Sequence, residues 1–308
     1  MMDIRHYKGQ DIEEIIHIWN MQMPFNQITK ELFIKNLLLD LNFDPQGFFV
    51  ACDGEEIIGF VYAVKRRIPV DVGGSMDLNK GWICAIGIKK NILLVGKALL
   101  EAAETYLKED GNRTIYACSY TPNYFYQGIN IKYEDYIKLF EQLGYHVCET
   151  SVSMKIDLKT YKSPEGISEL HKKLTDEGII FQDLSVEHIP SWLTFQKPSW
   201  THRFRRLLNE TGCFDHVNIA VYNGEVIGCN IFGDPYSTEE RFGPFGVRDD
   251  FQGRRIGTIL LDQCLVKMRE KGLSYAWMQW ATAAEYVVNM YLKFGFEIMD
   301  TYKTFVKE

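Results

Sequence analysis

The sequence predicts an α/β (α+β) protein in which one arrangement of sheet and helices occurs twice. Residues 48–61 and 217–231 each contain two apolar runs joined by a turn, Asp53-Gly54 in the first and Asn223-Gly224 in the second. Asp-Gly and Asn-Gly between apolar runs are strong signals of a β-hairpin. After each hairpin follow an apolar strand, a helix, a strand and a helix. This matched order favours a diverged internal repeat over one large mixed sheet.

In the first half, Asp11 is placed to cap a helix that carries Ile15, Ile16 and Trp19 on one face. The apolar run 82–88 predicts the strand after the hairpin, and the segment 96–100 lies in the next helix. A strand at 114–118 and a helix ending in Leu143-Gly144-Tyr145 complete this half.

In the second half, the run 243–247 predicts the corresponding strand. The following helix carries an apolar residue at every fourth position and ends near Gly272, the periodic residues being Ile256, Leu260, Cys264 and Met268. Between the halves, Ser163-Pro164-Glu165 predicts the start of a helix that runs to about Glu177. We therefore expect domains at residues 1–158 and 159–308.

Composition limits the function. The chain has 308 residues, enough for two domains, and a net charge of −7, which argues against a general nucleic-acid binder. No apolar run is long enough to cross a bilayer, and the first residues lack the apolar core of a signal peptide. The seven cysteines are scattered, as in a protein of the reducing cytoplasm. The seven histidines show no ligand spacing, so no metal site is expected.

The segment that follows Phe245-Gly246-Val247 carries the strongest functional signal. It reads as a strand, a polar turn and a helix start, and the turn is Gln252-Gly253-Arg254-Arg255-Ile256-Gly257-Thr258. A helix start leaves backbone N–H groups unpaired, and these groups together with the helix dipole favour phosphate. The sequence therefore predicts a site for a phosphate-bearing cofactor.

The order of these elements, the Gln-x-x-x-x-Gly turn and the later Tyr291-Leu-Lys-Phe-Gly-Phe296 resemble the GNAT superfamily of N-acyltransferases. The resemblance is sharp for about residues 217–300 and weaker for about residues 1–157, so the chain is similar to tandem GNAT proteins. It implies that each half is a mixed, mostly antiparallel, twisted sheet flanked by helices. It also implies an acetyl-CoA-dependent N-acetyltransferase that acts by direct attack in a ternary complex.

The resemblance assigns roles to individual residues. The amides from Gly253 to Thr258 would hold the pyrophosphate of acetyl-CoA. The strand Phe245-Gly246-Val247 would run beside the pantetheine arm and polarise the thioester carbonyl. Tyr291 would be the general acid that protonates the leaving thiolate. Gln252 and Gly257 match the family's turn, Gln/Arg-x-x-Gly-x-Gly/Ala, whereas Arg255 replaces its middle glycine. An arginine there would be strained at positive φ, or would pair with phosphate oxygens.

The first half departs from this pattern. Ile88 to Gly96 spans eight positions, whereas Val247 to Gly257 spans ten. Apolar Ile92, Leu93 and Leu94 replace the polar turn residues and are expected to pack inward. Phe140, which has no proton to donate, stands where the second half has Tyr291. We therefore expect a degenerate, non-catalytic N-terminal domain that serves as a scaffold or as a wall of the substrate site.

Several questions stay open at the level of sequence. The general base is unassigned among Asp234, Glu239, Glu240 and Glu285. The acceptor is expected to be a small-molecule or peptide amine, with no nucleic-acid or membrane partner, and the oligomeric state is open, a homodimer included. A longer acyl or aminoacyl donor on the same fold is one alternative function. A non-catalytic, CoA-responsive sensor is the other.

Overall fold

The computed structural model of the protein describes residues 2–68, 77–109, 111, 113–120, 125–195, 205, 207–234 and 237–308. The chain divides into two compact units. Unit 1 comprises residues 1–151 and 300–308, and unit 2 comprises residues 152–299. No helix within the described ranges is both long and apolar enough to span a membrane.

Unit 1 is built on an antiparallel sheet with one parallel pair. Its strands and helices are β1 (Met2–His6), α1 (Ile12–Gln22), α2 (Lys30–Phe33), β2 (Phe48–Asp53), β3 (Glu56–Lys65), β4 (Lys80–Ile88), α3 (Ile92–Lys108), β5 (Thr114–Ala117), β6 (Ile129–Asn130) and α4 (Glu134–Gln142). The strand order is β1-β2-β3-β4-β5, and only β4 and β5 pair in parallel. This parallel pairing ends at Ile83 and Ala117, although β4 continues to Ile88.

Unit 2 repeats the order of elements. After β7 (His146–Asp157), which enters it from unit 1, come α5 (Ile167–Asp176), β8 (Ile179–Asp183), α6 (Ile189–Phe195), β9 (Val217–Tyr222), β10 (Glu225–Phe232), β11 (Phe242–Val247), α7 (Ile256–Glu270), β12 (Tyr275–Thr282) and α8 (Glu285–Lys293). Strands β11-β10-β9-β8 form an antiparallel sheet, and β12 pairs with β7. The last strand is β13 (Glu297–Lys307). The predicted repeated α/β fold is confirmed.

The predicted hairpin turn at residues 223–224 and the predicted apolar face of α7 are both found in the structure. Asn223 and Gly224 both have positive φ, at 50° and 79°, as a two-residue hairpin turn requires. The four periodic residues of α7 are all buried, because spacing by four places them on one face of the helix. Asp11 behaves differently from the expectation. Its carboxylate accepts from the Lys8 N–H at 2.7 Å and from the Arg5 guanidinium, so it stabilises the turn before α1 rather than the first turn of α1.

The domain boundary differs from the expected division at residue 158. β7 crosses from unit 1 to unit 2 between residues 151 and 152, and the last nine residues return to unit 1. Val152, Met154 and Ile156 belong to the core of unit 2, whereas Tyr302 and Phe305 belong to the core of unit 1. An alternating strand shows which face is buried but not which sheet it joins, so the sequence could not reveal this exchange.

Phe305 is expected to control the stability of unit 1 although it lies at the end of the chain. It is fully buried, and its strand pairs with β5 at Ala117. The substitution Phe305→Ala should lower the free energy of unfolding by about 3–5 kcal/mol, because it leaves a cavity in a packed core. Urea unfolding followed by hydrogen exchange measures the loss and locates it.

The matched control is Ile298→Ala, at an exposed position of the same strand, which should change the free energy of unfolding by less than about 0.5 kcal/mol. For Phe305→Ala, protection should fall at Ile115 and Ala117. A loss of protection confined to residues 152–299 would contradict the assignment of this strand to unit 1.

Candidate functional site

The turn between β11 and α7 adopts the backbone that the phosphate hypothesis requires. Gly253 has φ +78° and Arg255 has φ +66°, both in the left-handed region. Glycine reaches this region freely, whereas an arginine there carries a backbone strain of about 1–2 kcal/mol. The structure therefore supports the strained alternative for Arg255. Its guanidinium makes no ion pair with any described residue.

The same turn presents a row of unpaired donors. Within the described residues, the backbone N–H groups from Gly253 to Gly257 donate to no acceptor, and the next amide, Thr258 N–H, bonds to the Arg255 carbonyl at 3.0 Å. α7 follows directly and is fifteen residues long. The turn thus combines free amides with the positive end of a helix dipole, which is the arrangement that binds phosphate in many proteins.

Side chains around the turn supply positive charge. Arg254 pairs with Glu177 at the end of α5, and its guanidinium lies over the Phe251 ring at 5.3 Å. A cavity of about 430 Å³ opens between α5 and residues 253–255. The Gln252 side-chain amide is engaged elsewhere, because it donates to the Asp249 carboxylate at 2.7 Å. Gln252 therefore shapes the turn in this structure.

Strand β11 has one paired edge and one open edge. Arg248 N–H donates to the Ile227 carbonyl of β10. Since N–H directions alternate along a strand, the N–H groups of Phe245 and Val247 point to the opposite edge. Toward β12, the described residues form only one isolated bridge, Arg241 with Trp277. The strands are therefore unpaired beyond that bridge, and the Val247 N–H has no acceptor among the described residues.

Unit 1 has the same strand edge, but there the edge is closed. Lys89 N–H donates to the Ile58 carbonyl, so Ile88 occupies the position that Val247 has in unit 2. The Ile88 N–H donates to the Tyr136 hydroxyl at 2.9 Å, in a buried environment. Tyr136 lies four residues before Phe140, and the residue four before Tyr291 is Val287. Valine cannot accept a hydrogen bond from a backbone amide, so the two units differ at one matched atom.

The connection between β4 and α3 differs from the connection between β11 and α7. This difference corrects two expectations drawn from the sequence, the length of the shorter turn and the packing of its apolar residues. α3 begins four positions after Ile88, whereas α7 begins nine positions after Val247. The two connections therefore differ in length by five positions, nine minus four. The alignment of Gly96 with Gly257 implied a difference of only two, ten minus eight. Gly96 lies inside α3, where an added Cβ would come within 2.5 Å of Leu139, so it serves close helix packing.

Leu93 and Leu94 do not pack inward as expected. They are 50% and 63% exposed, because the buried face of α3 begins only after them, at Val95, and continues through Leu99 and Leu100. The free amides at the start of α3 are therefore bordered by exposed apolar side chains, without the glycine and arginine residues of the other turn.

Tyr291 lies beside the open strand. Its ring centroid is 6.4 Å from that of Phe245 and 6.3 Å from that of Phe242, and the side chain is 6% exposed. Burial raises the pKa of the Tyr291 phenol above its ordinary value, so the group stays protonated at neutral pH. Its hydroxyl has no hydrogen-bond partner within the described part of the chain. Phe140 is fully buried and stacks on Phe305.

The four candidate bases are not equivalent. Asp234 is buried and accepts from Arg241 at 2.9 Å, and its backbone closes the turn that leads to β11. Its carboxylate is therefore a structural ion pair. Glu239 and Glu285 are exposed, and Glu240 is partly exposed. The structure brings none of the four into hydrogen-bond contact with Tyr291, and the base stays unassigned.

Comparisons with known proteins agree with this architecture. The model of the acetyltransferase (GNAT) family matches residues 12–127 and 180–296. The glucosamine N-acetyltransferase region of a fungal multi-domain GH3 β-N-acetylglucosaminidase has a TM-score of 0.82 at 18% identity, and the match covers all of this chain and 38% of that one. This chain therefore spans well under half of that fungal protein.

Two further solved structures resemble the chain over its whole length. A GCN5-related N-acetyltransferase from Sphaerobacter thermophilus has a TM-score of 0.73 at 15% identity, with 100% of this chain and 95% of that one covered. A tandem GNAT protein of the clavulanic acid biosynthesis pathway has a TM-score of 0.63 at 13% identity, with 100% and 98% covered. The search of curated proteins gives no match. The resemblance inferred from the sequence is confirmed.

The left-handed backbone at Arg255 predicts its tolerance to substitution. Arg255→Gly should fold normally and change the free energy of unfolding by less than about 1 kcal/mol, because glycine adopts this conformation without strain. Arg255→Val should lose about 1–2 kcal/mol, because a β-branched residue is disfavoured at positive φ. Arg254→Val, at a neighbour with negative φ, controls for the loss of an arginine. Urea titrations decide the point, and equal stability of the Gly and Val variants of Arg255 would refute the assigned conformation.

Proposed function

Because the chain belongs to the acetyltransferase (GNAT) family, we propose that unit 2 transfers the acetyl group of acetyl-CoA to a primary amine. The amine attacks the thioester directly within a ternary complex. Unit 1 does not hold acetyl-CoA productively. The observation that carries this proposal is the open N–H of Val247, whose counterpart at Ile88 is occupied by the Tyr136 hydroxyl.

The turn from Gly253 to Thr258 would hold the pyrophosphate. Its amides are free and it begins a long helix, so negative charge is stabilised there by hydrogen bonds and by the helix dipole together. The Arg255 guanidinium, which forms no ion pair with a described residue, adds a charge-assisted donor. Arg254 becomes a second donor once it releases Glu177.

The open edge of β11 would hold the reacting end of the cofactor. The N–H groups of Phe245 and Val247 point to this edge, where the pantetheine arm can lie along the strand like an added strand. An amide directed at the thioester carbonyl stabilises the negative charge that develops on its oxygen as the amine attacks. Such a donor needs no reorganisation, because the strand already fixes its direction through the β10 pairing.

Tyr291 would complete the transfer. The amine nitrogen bonds to the carbonyl carbon, the C–S bond breaks, and the CoA sulfur leaves as a thiolate. The Tyr291 phenol donates its proton to that sulfur, and solvent later returns the proton. The raised pKa of the phenol keeps the donor protonated at neutral pH. The attacking amine must lose its own proton, and a carboxylate acting through water is the chemistry that fits.

One observation supports the alternative of a sensor without turnover. Asp234 is the buried carboxylate among the four candidate bases, and Arg241 already pairs with it. A protein that binds acetyl-CoA without a base would respond to the cofactor and release no thiol. The enzyme and the sensor therefore differ in one measurable product, the free CoA thiol.

A thiol-release assay with a panel of primary amines separates the two functions. The panel includes glucosamine, because the fungal protein described above carries a glucosamine N-acetyltransferase region. We expect turnover with at least one amine. Tyr291→Phe should then lower kcat by about 100-fold or more with little change in the KM for acetyl-CoA, because a general acid acts only on the chemical step.

The matched control is Tyr136→Phe, a buried tyrosine on the corresponding helix of unit 1. It should leave kcat unchanged and lower stability by about 1–3 kcal/mol, because the buried Ile88 N–H loses its acceptor. Unchanged turnover in Tyr291→Phe would remove the acid role. Saturable binding of acetyl-CoA with no thiol release from any amine would favour the sensor.

A further inference from the structure

A short turn before β9 gathers three side chains of different chemistry. Residues Phe214–His216 form a single 3-10 turn, in which the His216 N–H bonds to the Cys213 carbonyl at 3.1 Å. Side chains three positions apart eclipse each other in such a turn, so Cys213 and His216 lie on one side, with Asp215 adjacent. A sulfur, a carboxylate oxygen and a ring nitrogen from the three lie within 4.8 Å of one another.

The His216 ring is held in place before any ligand binds. It stacks on Phe232 with ring centroids 4.2 Å apart. Its Nδ1 is buried and has no hydrogen-bond partner among the described residues. Gly233 borders this nitrogen, and a Cβ at that position would lie 2.9 Å from it. Glycine thus leaves room for a rigid imidazole whose buried nitrogen lacks the partner that such groups normally have.

We propose that Cys213, Asp215 and His216 bind a divalent transition metal of the zinc class. Thiolate, carboxylate and imidazole together form the mixed S, O and N ligand set that zinc prefers, and a thiolate disfavours magnesium and calcium. Zinc bond lengths of about 2.0–2.3 Å hold ligand atoms roughly 3.3–3.8 Å apart. The three side chains reach that spacing by closing in by about 1 Å, a rotamer adjustment in a half-exposed turn.

The surrounding charges determine what the metal must displace. Lys271 pairs with the Asp215 carboxylate at 2.6 Å, so a cation at the site competes with this ammonium for Asp215. Glu239 lies close enough for its charge to act on both His216 and Lys271. Glu239 is therefore placed to become the new partner of Lys271 when a metal takes Asp215.

The site is separate from the cofactor turn. Along the β10–β11 pair, Phe232 lies opposite Phe242, whereas Gly228 at the other end lies opposite Val247. His216 packs at the Phe232 end, away from the phosphate turn. This proposal is therefore independent of acetyl transfer. It departs from the sequence-based expectation of no metal site, which considered the cysteines and the histidines separately and missed the pattern Cys213-Phe-Asp-His216.

The test uses the full chain, freed of metal with a chelator and titrated with Co²⁺. Cobalt replaces zinc and gives a thiolate-to-metal charge-transfer absorption when a cysteine coordinates it. We expect one Co²⁺ per chain with this absorption, and a higher Tm on addition of Zn²⁺, since a metal that binds the folded state stabilises it. Absence of the absorption at saturating Co²⁺ overturns the proposal.

Variants identify the ligands. Cys213→Ser should abolish the absorption, and His216→Ala should weaken Co²⁺ binding by at least about tenfold. Cys148→Ser removes an exposed cysteine in unit 1. It should change neither the absorption nor the affinity for Co²⁺. Circular dichroism of the metal-free variants checks the fold. If Cys213→Ser does not fold, Asp215→Asn, with a near-isosteric side chain, should weaken Co²⁺ binding by at least about tenfold while the thiolate absorption remains at saturation. Unchanged Co²⁺ affinity in Asp215→Asn would then refute the assignment. An absorption that survives Cys213→Ser, or that disappears with Cys148→Ser, refutes the assignment.

Discussion

Backbone N–H groups at the end of a half-buried strand need an acceptor, and the two units differ in whether their own side chains supply one. In unit 1 the Ile88 amide bonds to a buried tyrosine hydroxyl. In unit 2 the matched helix offers Val287, and the Val247 amide is left without an acceptor among the described residues. An unpaired amide in such a place is costly unless something binds to it. The side chain at this matched position is therefore the first difference between the units that favours a thioester site in unit 2.

Three further features distinguish unit 2 from unit 1: the length of the connection before the helix, the residue at the position of Tyr291, and the backbone at Arg255. The longer connection after β11 gives room for a row of free amides, whereas only three residues lie between the end of β4 and the start of α3. Tyr291 has a proton where Phe140 has none. Arg255 accepts a strained backbone at the start of α7. Strain of this kind persists where the surrounding structure holds it, and it is found at sites that bind ligands.

The sequence predicted those parts of the fold that depend on local chemistry. Hairpins, helix periodicity and the strand–turn–helix order around Gly253 each depend on a few neighbouring residues, and all three are present. The sequence could not predict the exchange of strands at residues 152 and 300, because alternation shows a buried face and not a partner strand. Nor could it predict that Tyr136 closes the edge of β4, because the two residues are 48 positions apart and meet only in the folded unit. The proposed metal ligands were not expected from the sequence because cysteines and histidines were considered separately, whereas a 3-10 turn combines three different residue types.

Calorimetric titration of acetyl-CoA into the wild-type chain and into Val287→Tyr tests the central claim most directly. The substitution places a hydroxyl on α8 at the position from which Tyr136 bonds the matched amide in unit 1, and Val288→Tyr, at the next partly buried position, is the control. The account predicts one saturable site per chain, at least about tenfold weaker in Val287→Tyr and unchanged in Val288→Tyr, because the amide is then satisfied internally. Two equal sites in the wild type, no site, or wild-type affinity in Val287→Tyr would contradict it.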